Sequence, residues 1–398
     1  MIPERVERRA RWVLDSVGAR ELGFGDDVPY RPEGWAAVDR LERPSGDDLA
    51  AAFFDLSRLE ERPAPRDEHG RVPSTSSCLD PLHPPLERLR RRLGIPPQRW
   101  DGARFAVALT HDVDSPWRWT RVGVRSAAAR LKGHAAAGRL GSALREARGL
   151  AELPLHKARG TDPNWRFVTI CDEERRRDAS STFFVLAGHR DPHDGAAPET
   201  YEQLRPRLVE TIRSAGGEIG LHGSYTTAIT PARLAEERDR LVELAGPVAG
   251  HRYHYLHFDP LQHLVAVDRL FRYDTSLGFA DGIGFRAGIA RPFHPWDFEA
   301  ERPLDLVEVP LAVMDVTLAE ERYLGLSPEA AWPLLERLLD QAADHGAGFA
   351  VLWHPDRFDP ATSAGWNRLY YRFIEAVAER GGRCMSAGEL VETWLNEA

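Results

Sequence analysis

At 398 residues with a net charge of −9, the chain is long enough to bury a large core, and its acidity argues against nucleic acid as its main partner. Hydrophobic content of 42% and charged content of 28% are ordinary for a globular protein. Cys78, Cys171 and Cys384 lie far apart with no C-x-x-C pair, which excludes a cysteine-rich metal site and suits a reducing compartment.

In chain order, Met1-Ile2-Pro3-Glu4-Arg5 opens without the apolar core of a signal peptide. No later stretch approaches the roughly 18 apolar residues of a membrane span, so the expected location is cytoplasmic. Residues 1–100 read as an N-terminal accessory domain. Asp47 to Glu61 carries Ala50, Phe53, Phe54, Leu56 and Leu59 on one helical face, a polar stretch runs from Arg62 to Pro84, and Leu86 to Leu93 reads as a basic helix. No site chemistry stands out here, and the region reads as a packing cap.

Residues 101–398 have a different texture. Strands are expected at Phe105–Leu109, Ser181–Leu186, Glu218–Leu221, Gly246–His251, Arg272–Asp274, Val307–Val313 and Phe349–Trp353, with helices near 164–178, 201–215, 231–245, 329–345 and 366–381. Gly216-Gly217 and Gly381-Gly382 are good helix stops. Strict alternation implies an α/β fold with a parallel sheet. Seven units point to a distorted barrel of (β/α)7 type, an open doubly wound sheet being the alternative. No G-x-G-x-x-G or P-loop follows any strand. A basic, Ala-rich helical insertion at about 117–160 breaks the rhythm. It reads either as a solvated insertion or as a surface for anionic lipid or a polyanionic glycan, a peripheral membrane or lipid-linked glycan contact.

The polar residues at the strand ends are unusual. The first strand runs into Thr110-His111-Asp112-Val113-Asp114. Residues two apart on a strand share a face, and two carboxylates on one face repel unless a cation or proton joins them. The third strand ends at His222-Gly223-Ser224-Tyr225, the fourth at His251-Arg252-Tyr253-His254, and the last at Trp353-His354; Asp315 follows the sixth. In a parallel barrel these ends share one rim. Carboxylate and imidazole together suit a divalent metal, zinc being the first choice. A second carboxylate could act as base, an arginine could hold it ionised, and another histidine could protonate a leaving group. The set fits metal-assisted hydrolysis of an amide or ester.

From about residue 103 to 395 the pattern resembles the polysaccharide deacetylase (NodB-homology) family. Thr110 to Asp114 is similar to its first motif, Ser181-Thr182-Phe183-Phe184-Val185 to the strand that follows, and Gly220-Leu221-His222-Gly223-Ser224 to the second motif. Gly250-His251-Arg252 resembles the third motif and Val351-Leu352-Trp353-His354 the fifth. The resemblance implies Asp112 as general base, Asp114 and His222 as metal ligands, Arg252 orienting the base and His354 as general acid, with Asp315 the candidate that orients His354. Two departures stand out. The position four after His222, normally histidine, is Thr226, and the proline of the third motif is His254. His254 is the proposed replacement ligand, with His257 and His251 as weaker candidates. The variant resembles a subgroup whose N-terminal region is matched by Phe53 to Glu60 and Asp67-Glu68-His69-Gly70-Arg71.

The family likeness implies a metal-dependent deacetylase that removes an N-acyl group, N-acetyl first, from a carbohydrate. Arg286, Trp296 and Tyr225 are candidate substrate contacts, because sugar sites combine stacking rings with polar groups. The rivals are an inactive carbohydrate-binding or assembly module, favoured by Thr226, and a glycosidase pairing Asp112 or Asp114 with Glu308.

Overall fold

The computed structural model describes residues 2–189, 191–195, 197–359, 363 and 365–397. Its centre is a parallel sheet rolled into a barrel. The strands are β1 (Ala106–Val113), β2 (Thr182–Leu186), β3 (Glu218–Gly223), β4 (Gly250–Tyr253), β5 (Tyr273–Asp274), β6 (Val307–Glu308), β7 (Leu311–Met314), β8 (Gly348–Leu352) and β9 (Arg383–Met385). The order is β6-β5-β4-β3-β2-β1-β8-β7, with β9 beside β1. Every residue of β1, β2 and β8 is buried, as expected where helices cover the outside and side chains fill the inside.

The expected strand 307–313 is divided at Val309-Pro310. Proline has no N–H to donate to a ladder. The Pro310 carbonyl still accepts the Ala350 N–H (2.8 Å), and the Val309 N–H donates to Asp274 O (2.9 Å). One segment therefore pairs with β5 through its first half and with β8 through its second, which joins the two ends of the sheet. The seven expected positions are present. The sequence reading missed β9, which pairs with Ala106–Ala108 of β1 while β2 pairs with Thr110–Val113.

The N-terminal residues share one hydrophobic core with the barrel, from Val6 and Trp12 through Phe53 to Trp100. Two buried ion networks fasten the regions together. Glu61 receives both arms of Arg286 (2.8 and 2.7 Å) and Nε of Arg58 (2.9 Å), and Glu87 receives Arg291 (2.8 Å). Between β1 and β2, α1 (Arg121–Ala136) and α2 (Leu140–Arg159) form the expected basic insertion as a helical hairpin. Among the described residues no helix is long and apolar enough to cross a membrane.

Burial pushes the Glu61 carboxyl up, but Arg286 and Arg58 outweigh it and hold it at about 2, below its ordinary value of 4.5. A depressed carboxylate contributes stability that is present above 4.5 and is lost as the pH falls toward about 2. Glu61→Gln should destabilise the protein by about 3 kcal/mol at neutral pH, since two buried guanidinium groups lose their partner. The deficit should shrink at pH 3. Urea titrations of both proteins at each pH measure it, and a gap that does not change with pH would contradict this assignment.

Candidate metal centre and active site

Strand alternation places the first motif. Thr110, Asp112 and Asp114 project into the barrel mouth, whereas His111 points outward, where Nδ1–H donates to Trp353 O (2.6 Å) and Nε2 meets Glu174 (2.9 Å). On β4 and just past its end the same rule turns Arg252 and His254 inward and His251 outward against Asp274 (2.6 Å). His222, at the end of β3, lies in register with Arg252.

These side chains converge. The ligand atoms of Asp114, His222 and His254 lie within 4.8 Å of one another. Asp114 Oδ1 is 3.3 Å from His222 Nε2 and 3.5 Å from His254 Nε2. His222 Nδ1–H donates to Arg252 O (3.0 Å), and His254 Nδ1–H donates to Asp194 Oδ1 (3.3 Å). Both Nε2 atoms are thereby turned toward Asp114, the outer-shell support that imidazole ligands require. Asp114 Oδ1 is shielded from solvent and lacks a hydrogen-bond partner among the described residues. Burial would push the Asp114 carboxyl up, but His254, His222 and His354 hold it well below the usual carboxylate range. Burial opposes charge on His254 as well, yet Asp114 and Asp194 raise it to about 9. One carboxylate, two imidazoles and an open side make a donor set that could hold a divalent cation.

Asp112 lies beside this group, its Oδ2 3.5 Å from His222 Nε2. Arg252 NH1 donates to Asp112 Oδ1 (3.0 Å) and Thr110 Oγ1 (2.8 Å), and its Nε donates to Thr275 O (3.1 Å). His354 Nε2 is 3.6 Å from Asp114 Oδ2. Its Nδ1–H donates to Asp315 Oδ1 (2.7 Å), and its backbone N–H donates to Asp315 Oδ2 (2.9 Å). Burial lowers the His354 pKa, but the fully buried Asp315 outweighs it and raises the imidazole to about 10, so it carries a proton at neutral pH.

A cavity of about 320 Å³ opens over these groups, lined also by Arg71, His193, Tyr255, Arg322 and Tyr323. None of these five was among the expected site residues, although Arg71 ends the Asp67–Arg71 segment matched in the sequence, and it brings residues 1–100 to the edge of the cavity. Arg71 is fixed by Asp67 (2.8 Å), and it donates to Tyr255 O (3.1 Å) and to the Tyr323 hydroxyl (3.1 Å). The signal that could have revealed it is local: Asp67 accepts the N–H groups of His69 and Arg71, a turn completed by Gly70 at φ +71.

Several expected site residues lie elsewhere. Arg286 is buried against Glu61, and Trp296 packs on Trp12 (5.1 Å) and Phe53 (5.7 Å); neither lines the cavity, so their predicted substrate contacts are corrected to core roles. Tyr225 stands behind the rim, stacked on His193 (4.2 Å) and His257 (4.1 Å), with its hydroxyl on His69 (3.0 Å). His257 and His251 do not enter the ligand group. Thr226 accepts Arg233 (2.7 Å). Glu308 is fully buried and accepts the Leu277 N–H (2.9 Å), outside the cavity, so the glycosidase pairing is not formed at this rim.

No family profile and no curated protein matches the sequence. Solved structures do. PuuE allantoinase is 15% identical over 80% of this chain and 98% of its own, with a TM-score of 0.50. A candidate polysaccharide deacetylase from Mycobacterium smegmatis is 21% identical over 74% of this chain and 92% of its own, with a TM-score of 0.47. A protein assigned to the polysaccharide deacetylases from Pseudomonas aeruginosa PAO1 is 17% identical over 76% and 95%, with a TM-score of 0.49. At these identities the likeness is one of fold.

Protein loaded with zinc and then washed should retain one ion per chain. Asp114→Ala and His254→Ala should each weaken retention at least tenfold, while His257→Ala should leave it intact. Elemental analysis of the four proteins decides this, and full retention by His254→Ala would remove it from the ligand set.

Proposed function

We propose that the protein is a metal-dependent carbohydrate deacetylase that hydrolyses an N-acyl group, N-acetyl first, from a sugar or glycan precursor. The observation that supports this most directly is the meeting, over one cavity, of three arrangements: the Asp114–His222–His254 group, the Asp112–Arg252 pair and the His354–Asp315 pair. A divalent ion held by Asp114, His222 and His254, zinc by its donor set, would supply Lewis-acid polarisation of the acyl carbonyl and acidify water.

The protein's own groups supply the proton transfers. Asp112 is fixed by Arg252 (3.0 Å) and takes a proton from the attacking water. Water oxygen bonds to the acyl carbon, and the carbon–nitrogen bond then breaks. His354 Nε2, protonated and aimed into the cavity by Asp315, gives its proton to the departing nitrogen. The products are a carboxylate and the free amine of the sugar. Tyr255 and Tyr323 offer rings to a pyranose face, and Arg71 and Arg322 offer donors to its oxygens.

Thr226, where the family motif has histidine, favours a second reading: a barrel that binds sugar without cleaving it. Acetate release from N-acetylated sugars separates the two. The enzyme should lose activity with a chelator and regain it with zinc. Asp112→Asn and His354→Ala should each lower kcat about 10²–10⁴-fold, and Asp315→Asn about 10–100-fold. Turnover that survives chelation, or persists in Asp112→Asn, would overturn the hydrolytic mechanism. A protein that binds sugar and metal but releases no acetate would support the binding module.

A further inference from the structure

The hairpin of α1 and α2 concentrates positive charge on an acidic protein. Nine basic and two acidic residues lie between Arg121 and Arg159, although the whole chain carries −9. Some of these cations are used internally: Arg130 pairs with Glu146 (2.7 Å), Arg148 with Glu152 (2.8 Å), and Arg139 with Glu321. Arg121, Arg125, Lys132, Lys157 and Arg159 are exposed and have no carboxylate partner among the described residues.

Beside these cations the hairpin exposes large apolar side chains. Leu140 is 76% exposed, Leu144 70% and Leu155 48%. With exposed Ala151 they recur at intervals of four, seven and four residues, so they form one stripe along α2. The opposite face, with Ala143, Glu146 and Gly149, is buried. Cations alone would suit any polyanion, such as a glycan or nucleic acid. A stripe of leucines presented to solvent adds what a bilayer interface rewards and a polyanion does not.

The hairpin is also placed by the catalytic rim. Its root follows Asp114 directly, and Asp162 caps that root by accepting the N–H groups of Arg118 and Trp119 (both 2.9 Å). At the turn between the helices, Arg139 pairs with Glu321, which is next to Arg322 and Tyr323 of the cavity lining.

We propose that this hairpin seats the protein on an anionic phospholipid surface, its leucine stripe in the headgroup layer and its unpaired cations on the lipid phosphates, with the cavity mouth beside the bilayer. In combination with the reaction proposed above, on which this clause rests, it assigns the substrate to the class of sugars carried on a lipid anchor.

The test is flotation of the full-length protein with vesicles of phosphatidylcholine alone, and of phosphatidylcholine containing one-third phosphatidylglycerol. Flotation is expected with the anionic vesicles, weakening as salt rises, and not with the neutral ones. Leu140→Ser with Leu144→Ser should reduce the bound fraction several-fold, and Arg121→Glu with Arg125→Glu should reduce it further, with unchanged circular dichroism. Three results would overturn the proposal: no flotation at low salt, equal flotation of the leucine variant, or retention on heparin without vesicle binding. Zinc retention and acetate release from a soluble N-acetyl sugar should be the same in all these variants. Loss of the membrane contact is thereby distinguished from failure of the hydrolytic reading.

Discussion

The pairing of Arg252 with Asp112 is the constraint around which the site is arranged. Arg252 is fully buried, and a guanidinium in that position needs a counter-charge beside it. Asp112 and Thr110 of β1 meet Nη1, and the Thr275 carbonyl after β5 meets Nε, while Nη2 has no hydrogen-bond partner among the described residues. Phe184 of β2 covers the guanidinium face at 4.6 Å. The pair therefore fixes more than the base. It holds opposite parts of the barrel wall at a set separation, because moving either strand would leave a charge buried and unpaired.

The same residue also reaches the proposed metal ligands. The Arg252 carbonyl accepts Nδ1–H of His222, its register partner on β3. One amino acid thus orients the proposed base through its side chain and a proposed ligand through its backbone. The other imidazoles are held in the same manner by different elements: His254 by Asp194, and His354 by Asp315. Each ring has one nitrogen committed to the protein and the other aimed at Asp114. This is the preorganisation that metal-assisted chemistry needs, since a ring free to rotate would have to be ordered at each turnover.

How much of this was legible follows from the range of the interactions. Asp112 and Asp114 could be read because strand alternation is a local rule, and His222, Arg252 and His354 because each ends a strand at the same rim. The barrel followed from the same alternation. The break at Pro310 was visible as a proline within a strand-like run, but its consequence, one segment serving two neighbours, depends on how the sheet closes. Arg286 and Trp296 were misplaced for a related reason. A loop rich in aromatic and charged groups has the composition of a sugar site and equally that of a buried junction. Arg286 is decided by Glu61, 225 residues away, and Trp296 by Trp12 and Phe53, which no local pattern could connect to it.

The turn after β4 shows why the N-terminal region is part of the site. His254 lies just past the last residue of β4, and there the chain bends at once through Tyr255 and Leu256, both with positive φ (+61 and +51). For residues with a Cβ that conformation costs on the order of 1–3 kcal/mol each, and it persists only where surrounding structure over-determines it. The bond from Arg71 to the Tyr255 carbonyl is one such restraint, and the packing of His69 on the Tyr255 ring (4.7 Å) is another. Both come from the Asp67–Arg71 turn, far from β4 in sequence. Where the family motif uses a proline to shape this bend, the chain here has a histidine that would serve as ligand. The conformational restriction a proline would have given is replaced by contacts from outside the barrel. Relative to the motif the chain resembles, the threonine at 226 and the histidine at 254 are therefore not a single exchange. The change is accompanied by a second region of the chain that holds the turn after His254 in place and brings Arg71 to the edge of the cavity.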